Sequence, residues 1–142
     1  MSPSTCARVA AALFAAQAIF AMVHRATGSE YRGLTHGSSV VVDLGLTVIW
    51  LAAAVAGLVQ GSGLALVTMC VGAMASLIHG INFSVSTSSS GPYGVGIPFV
   101  FAAIAETYLI ARAIPALRPV AVGPREAAPG GPLVDRHARS TV

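Results

Sequence analysis

Glu106 is the residue most out of place in this chain. It stands in an apolar run from Ile97 to Ile114, ten residues beyond Gly96 at the start of that run. At helical rise this is about 15 Å of depth, near the middle of a hydrocarbon layer about 30 Å thick. A charged acid there costs at least ~2.5 kcal/mol. The carboxyl is therefore expected to face a protein interior, either uncharged or paired. Gln17, midway along another apolar run, or a backbone carbonyl is the candidate partner. A carboxyl held in this way can act as a general acid, or it can simply hydrogen-bond one helix to another.

Asp43 and His79 make a second pairing. Each lies 18 residues from Gly61, at the centre of the turn Gln60-Gly61-Ser62-Gly63. If the runs on either side form an antiparallel helical hairpin, both residues lie about 27 Å from the turn and hence at one depth. The count fixes depth and leaves facing open. Facing each other, Asp43 would orient His79 as a base poised near neutral pH, with Glu106 about two turns deeper. Singly, each has a simpler explanation. An anion suits the first turn of a helix, and a cation suits the last. Trp50, Tyr108, Gln17 and Asn82 complete the candidate ligand-binding set around these three. Trp50 is the only tryptophan and sits at mid-depth, away from the interface that tryptophan prefers. It is expected to pack inside, where its indole N–H needs an acceptor. Asn82-Phe83-Ser84 fits the N-x-S pattern but hugs the apolar run, so it is read as chance.

The elements that must position these residues follow from composition. The 142 residues are 55% hydrophobic and 9% charged, whereas soluble domains carry about 25% charged residues. Mean hydropathy is +0.77. A water-facing globule could not be covered with so few charges, and a cytosolic enzyme, a nucleic-acid binder and a disordered chain are all disfavoured. The sequence predicts an all-α polytopic membrane protein, an up-down bundle of four transmembrane helices over residues 1–117. The helices are placed at about 7–24, 40–59, 64–83 and 97–117. The last three runs meet the 17–25 residues of a span, and the first is short by hydropathy alone. Ala16-Gln17-Ala18 resembles a signal-peptidase site, but the apolar part before it is too short, and the run is read as uncleaved.

Residues 84–96 (SVSTSSSGPYGVG) are uncharged and punctuated by Gly and Pro, so a loop or cap is expected there. Residues 118–142, with APGGP and scattered charge, are expected to be a disordered tail. All eight basic residues are Arg, and five of them fall from Arg112 onward. That end-loading predicts both termini on the cytoplasmic side. Arg25 and Arg32 in the first loop pull mildly the other way. The Ala-, Arg- and Gly-rich composition without Lys suits a GC-rich bacterial genome and its cytoplasmic (inner) membrane.

No metal or cofactor is expected. His24, His36, His79 and Asp43 show no H-x-x-x-H or E-x-x-H spacing, Cys6 and Cys70 form no C-x-x-C pair, and two-histidine haem ligation has no support. No P-loop, G-x-G-x-x-G, G-x-S-x-G or H-E-x-x-H occurs. Three functions remain. The first is acid–base chemistry, of isomerase or cyclase type, on a lipophilic small molecule entering from the bilayer, in a site open to the outer leaflet. The second is a non-catalytic accessory subunit of a membrane complex. The third is a proton-coupled carrier using Glu106, which would need a homo-oligomer to form a pathway. The partners expected are the lipid bilayer, a lipophilic molecule, and a second copy or a larger complex, with no nucleic acid.

Overall fold

The computed structural model describes residues 1–26, 39–87 and 96–118. They form four helices: α1 (Pro3–Ala26), α2 (Ser39–Val59), α3 (Gly63–Thr87) and α4 (Ile97–Leu117). No strand occurs among the described residues. The tail expected to be disordered lies outside them except for Arg118, as do His36 and most of the Gly/Pro loop.

Local chemistry sets the helix ends. Ser2 caps α1: its Oγ accepts from the Thr5 N–H at 3.1 Å, and Pro3 takes the first helical position, where its missing N–H costs nothing. The helix thus begins four residues before the apolar run, which is why hydropathy alone makes it too short. Ser62 caps α3 in the same way, accepting from the Ala65 N–H at 3.1 Å. At its far end α3 runs on to Thr87, through what the sequence suggests is loop. There Ser84 donates its hydroxyl to the Gly80 carbonyl at 2.8 Å, so this polar residue is satisfied within the helix. Pro98 sits in the first turn of α4, and the Arg118 N–H closes the last turn on the Ile114 carbonyl at 3.1 Å. The boundaries of α4 coincide with those expected.

The turn between α2 and α3 ties the bundle together at one end. Gln60 and Gly61 have φ of +54° and +69°, a left-handed pair that reverses the chain within three residues. The Gln60 amide donates to the Gly57 carbonyl at 3.1 Å and to the Ser4 carbonyl of α1 at 3.5 Å. The Gly61 N–H donates to Ala116 of α4 at 2.9 Å. The start of α1, the end of α2, the start of α3 and the end of α4 therefore meet, and the helices alternate in direction. α1 packs on α2, α2 on α3 and α3 on α4, and α4 closes the ring on α1.

The distribution of side chains is inverted relative to a water-soluble bundle. The buried core is rich in alanine (Ala7, Ala10, Ala18, Ala53, Ala113) around Phe14, Trp50, Met69 and Leu117. Val41, Val59, Leu64 and Phe101 are all at least two-thirds exposed. Small inner residues let the backbones approach closely. A Cβ on Gly57 would lie 2.8 Å from the Ala7 carbonyl and 2.9 Å from Ala11 Cβ. On Gly72 it would lie 2.6 Å from Ala53 Cβ and 2.9 Å from Phe14 Cε1. Three helices are long and apolar enough to cross a membrane, over Pro3–Val23, Gly63–Asn82 and Ile97–Leu117. α2 (Ser39–Val59) contributes a shorter apolar stretch, Leu44–Val59.

Gly72→Ala should therefore lower stability in detergent by about 1–3 kcal/mol through overpacking against α2 and α1. Gly45 has open space around it, so Gly45→Ala should be neutral, or stabilising by up to about 1 kcal/mol. Paired thermal melts check both; equal losses at the two positions would contradict close packing at Gly72.

Candidate functional site

Each helix sends at least one polar or hydrogen-bonding side chain into the core. On α4, Phe99, Ala103, Glu106, Leu109, Ile110, Ala113 and Leu117 are buried and form one stripe. This is the i, i+3, i+4 spacing of a helix face turned inward. Glu106 lies in the middle of that stripe with no exposure at all. α1 contributes Gln17, on the buried stripe with Ala10, Phe14 and Ala18. The Gln17 Nε2 donates to Glu106 Oε1 and reaches its own helix at the Leu13 carbonyl, 3.5 Å away. The pairing anticipated from depth is thus made.

α3 and α2 supply the other two groups. The Trp50 indole N–H donates to Ser76 Oγ at 3.0 Å, and Ser76 donates to the Gly72 carbonyl at 3.1 Å. The Ser76 hydroxyl is also a neighbour of the Glu106 carboxyl. Trp50 is fully buried, as expected of a tryptophan at mid-depth. The acceptor its indole needed is Ser76, in which the sequence had shown only a polar interruption of an apolar run.

His79, three residues beyond Ser76, is buried and set among rings. It meets Trp50 edge-to-face (centroids 5.4 Å apart, 89° between planes) and Phe99 likewise (4.7 Å, 76°). Trp50 and Phe99 are nearly parallel at 6.0 Å, and Phe20 meets Phe99 edge-on at 5.4 Å. Glu106, Ser76, Trp50 and His79 are therefore linked by successive contacts. Phe99 and Phe14 join this core without having been singled out from the sequence, where isolated phenylalanines in apolar runs carry no distinguishing signal.

Not every expected residue joins. The helical backbone of Asp43 is in α2, but its side chain is outside the described set, as is that of His24, so the Asp43–His79 pairing is neither made nor broken. Asn82 is half-buried, three residues beyond His79. Tyr108 departs from the expected wall beside Glu106. Two residues further along α4 it has turned about 200°, and it is 63% exposed on the outside of the bundle.

Tyr108 instead lines a groove of about 600 Å³ between α3 and α4, with Cys70, Leu77 and Ile104 among its other walls. The inner side of the groove includes Ala73, Ala103 and Ile110, all buried. Ala103 and Ile110 flank Glu106 by one turn on either side, and Ala73 precedes Ser76 by three residues. The groove's inner wall is thus built from residues one helical turn from Glu106 and Ser76.

The polar cluster is incompletely satisfied. Glu106 Oε2 and Gln17 Oε1 are buried and have no hydrogen-bond partner among the described residues. Among those residues no three His, Cys, Asp or Glu side chains gather to hold a metal ion. In comparisons with protein-family models, curated proteins and solved structures, the chain found no match.

Removing one member of the central pair should be worse than removing both. Gln17→Leu leaves the buried carboxyl without its donor and should cost about 1–3 kcal/mol. Adding Glu106→Leu removes the uncompensated group and should restore much of that loss. A double-mutant cycle of thermal melts in detergent measures the coupling; additive losses would mean the two side chains do not interact.

Proposed function

We propose that this chain is a polytopic membrane protein in which all four helices cross the bilayer and both termini face the cytoplasm. We further propose that it binds a lipophilic small molecule at Glu106 and acts on it by acid–base chemistry. The observation that carries this reading is the wholly buried Glu106 carboxyl, with one oxygen held by Gln17, the other unpartnered, and an apolar groove lined by Ala103 and Ile110, one turn away on either side.

The membrane part is supported by the inverted surface and by three helices of spanning length. Orientation is supported by Arg8, Arg112 and Arg118, all exposed and all toward the end of the bundle where α1 begins and α4 ends. Cytoplasmic flanks are enriched in such cations. α1 supplies Gln17, so this site requires the first helix to stay uncleaved. In the chemical part, Glu106 is the general acid and His79, oriented by Asp43, is the base. Pairing of Glu106 within its own chain supports this reading over that of an accessory subunit using the carboxyl to hold a neighbour.

Native mass spectrometry of the detergent-purified protein tests the binding. A lipophilic molecule of defined mass should co-purify with the wild type and be lost from Glu106→Gln, whose melting should persist because a neutral amide replaces the acid. Retention of the same adduct by Glu106→Gln, or a wild type carrying only bulk phospholipid, would overturn it. Topology is checked separately by fusing, after Leu117, a reporter phosphatase active only outside the cytoplasm; the fusion should be inactive.

A further inference from the structure

The two unpartnered oxygens specify what is missing from the site. Gln17 Nε2 directs its hydrogens to the Leu13 carbonyl and Glu106 Oε1, which fixes the other amide atom as the carbonyl oxygen. That atom, Gln17 Oε1, is buried without a partner and can only accept a hydrogen bond. Glu106 Oε2 is also buried without a partner; with Oε1 accepting from Gln17, it is the oxygen that carries the proton when the acid is uncharged. A buried acceptor left unsatisfied costs about 1–3 kcal/mol, so a group that donates here is favoured over an apolar one. A hydroxyl suits the pair best. It donates to one oxygen, and its own oxygen can take the proton of a carboxylic acid.

The groove between α3 and α4 says from where such a group comes. Its volume of about 600 Å³ lies within the 300–1,000 Å³ or so of small-molecule sites. Its walls are apolar apart from Thr107, Tyr108 and Cys70, and the Thr107 hydroxyl is already engaged by the Ala103 carbonyl at 2.7 Å. Ala73 and Ala103, the groove-lining residues three positions before Ser76 and Glu106, carry only a methyl each. Larger side chains, Phe14, Trp50 and Leu109 among them, are buried in the core outside the groove lining.

We infer that this groove is the port through which a lipophilic alcohol or phenol enters from the hydrocarbon layer and places its hydroxyl against the Gln17–Glu106 pair. The inference rests on the proposed membrane site and adds to it the route and the ligand's chemical class.

Dicyclohexylcarbodiimide is a suitable probe. It partitions into hydrocarbon, and a carboxylic acid adds across its N=C=N to give an acylurea with nothing lost, which is read as a mass adduct on the Glu106 peptide. In phosphatidylethanolamine/phosphatidylglycerol vesicles it should modify Glu106, and a water-soluble carbodiimide should do so at least about tenfold more slowly. Capping Cys70, which is exposed in the groove while Cys6 is buried, with N-cyclohexylmaleimide should slow the lipophilic reagent by about tenfold or more. This block is built on the folded protein, and the same maleimide treatment should leave the rate of Cys70→Ala unchanged. Excess 4-nonylphenol should protect Glu106, and its methyl ether, which cannot donate, should not.

Equal rates with and without the cap, faster modification by the water-soluble reagent, or no modification at all would overturn the port. Equal protection by phenol and ether, or protection by neither, would overturn the ligand class. These outcomes are separable from failure of the functional reading. A Glu106-dependent ligand found by mass spectrometry, together with an ineffective Cys70 cap, refutes the port and leaves the site standing. A working port with no such ligand does the reverse.

Discussion

The structure is organised around one unfavourable act, the placement of a carboxyl with no solvent contact at the centre of four apolar helices. Such a group holds its position only if something donates to it. Gln17 does so from the helix farthest away in sequence, closing the ring between α1 and α4. Four-helix proteins in water close their rings by burying large apolar side chains. Here those side chains point outward and the interior is mostly alanine, so burial of apolar area gives the closure little support. Directional contacts and close backbone approach carry the specificity instead. Gln17 with Glu106 and Trp50 with Ser76 each join helices that are ring neighbours, and together the two bonds take one side chain from every helix.

The small residues and the polar cluster depend on one another. Gly72 lets α3 approach Ala53 of α2 and Phe14 of α1, and its carbonyl is also the acceptor for Ser76. A larger residue at that position would push α3 outward and carry Ser76 away from Trp50 and from Glu106. Gly57 does the same work lower in the bundle, between α2 and the Ala7–Ala11 ridge of α1. Polar contacts near mid-depth are therefore set by glycines and alanines on the helix faces that carry them.

Much of this was legible in the residues, and the rest was hidden for identifiable reasons. Depth follows from counting, because helical rise is constant. That is why Glu106 and Gln17 could be matched across nearly ninety positions, and why α4 was placed correctly. Facing follows from rotation about the helix axis, which counting leaves open, and so Tyr108 was set beside Glu106 when it points outward. The start of α1 was misjudged because hydropathy registers only apolar residues. The first turn is made by Ser2 and Pro3, whose contribution is a cap and a fixed φ. The extension of α3 through Ser84 was missed for a related reason, since a serine that bonds its own helix looks from the sequence like the beginning of a loop. Ser76 was passed over because a single hydroxyl in an apolar helix is ordinarily satisfied by the preceding turn. It is satisfied in that way here as well, and it still has an acceptor lone pair for Trp50.

Burial also limits the chemistry that the proposed site can perform. A carboxyl with no solvent exposure exchanges a proton first with what touches it. Gln17 offers an amide, which does not take protons at ordinary pH, and Ser76 offers a hydroxyl already committed to Gly72. The described side chains around Glu106 therefore provide no relay to solvent. Any proton that Glu106 gives or receives has to be carried by the molecule that binds, or has to pass through His79, beyond Trp50. A static relay would resemble the chains of acids and histidines in proton pumps. The ring of Trp50 occupies that line with an indole N–H that is already donated. In the proposed reading, this arrangement suits proton exchange within a bound ligand.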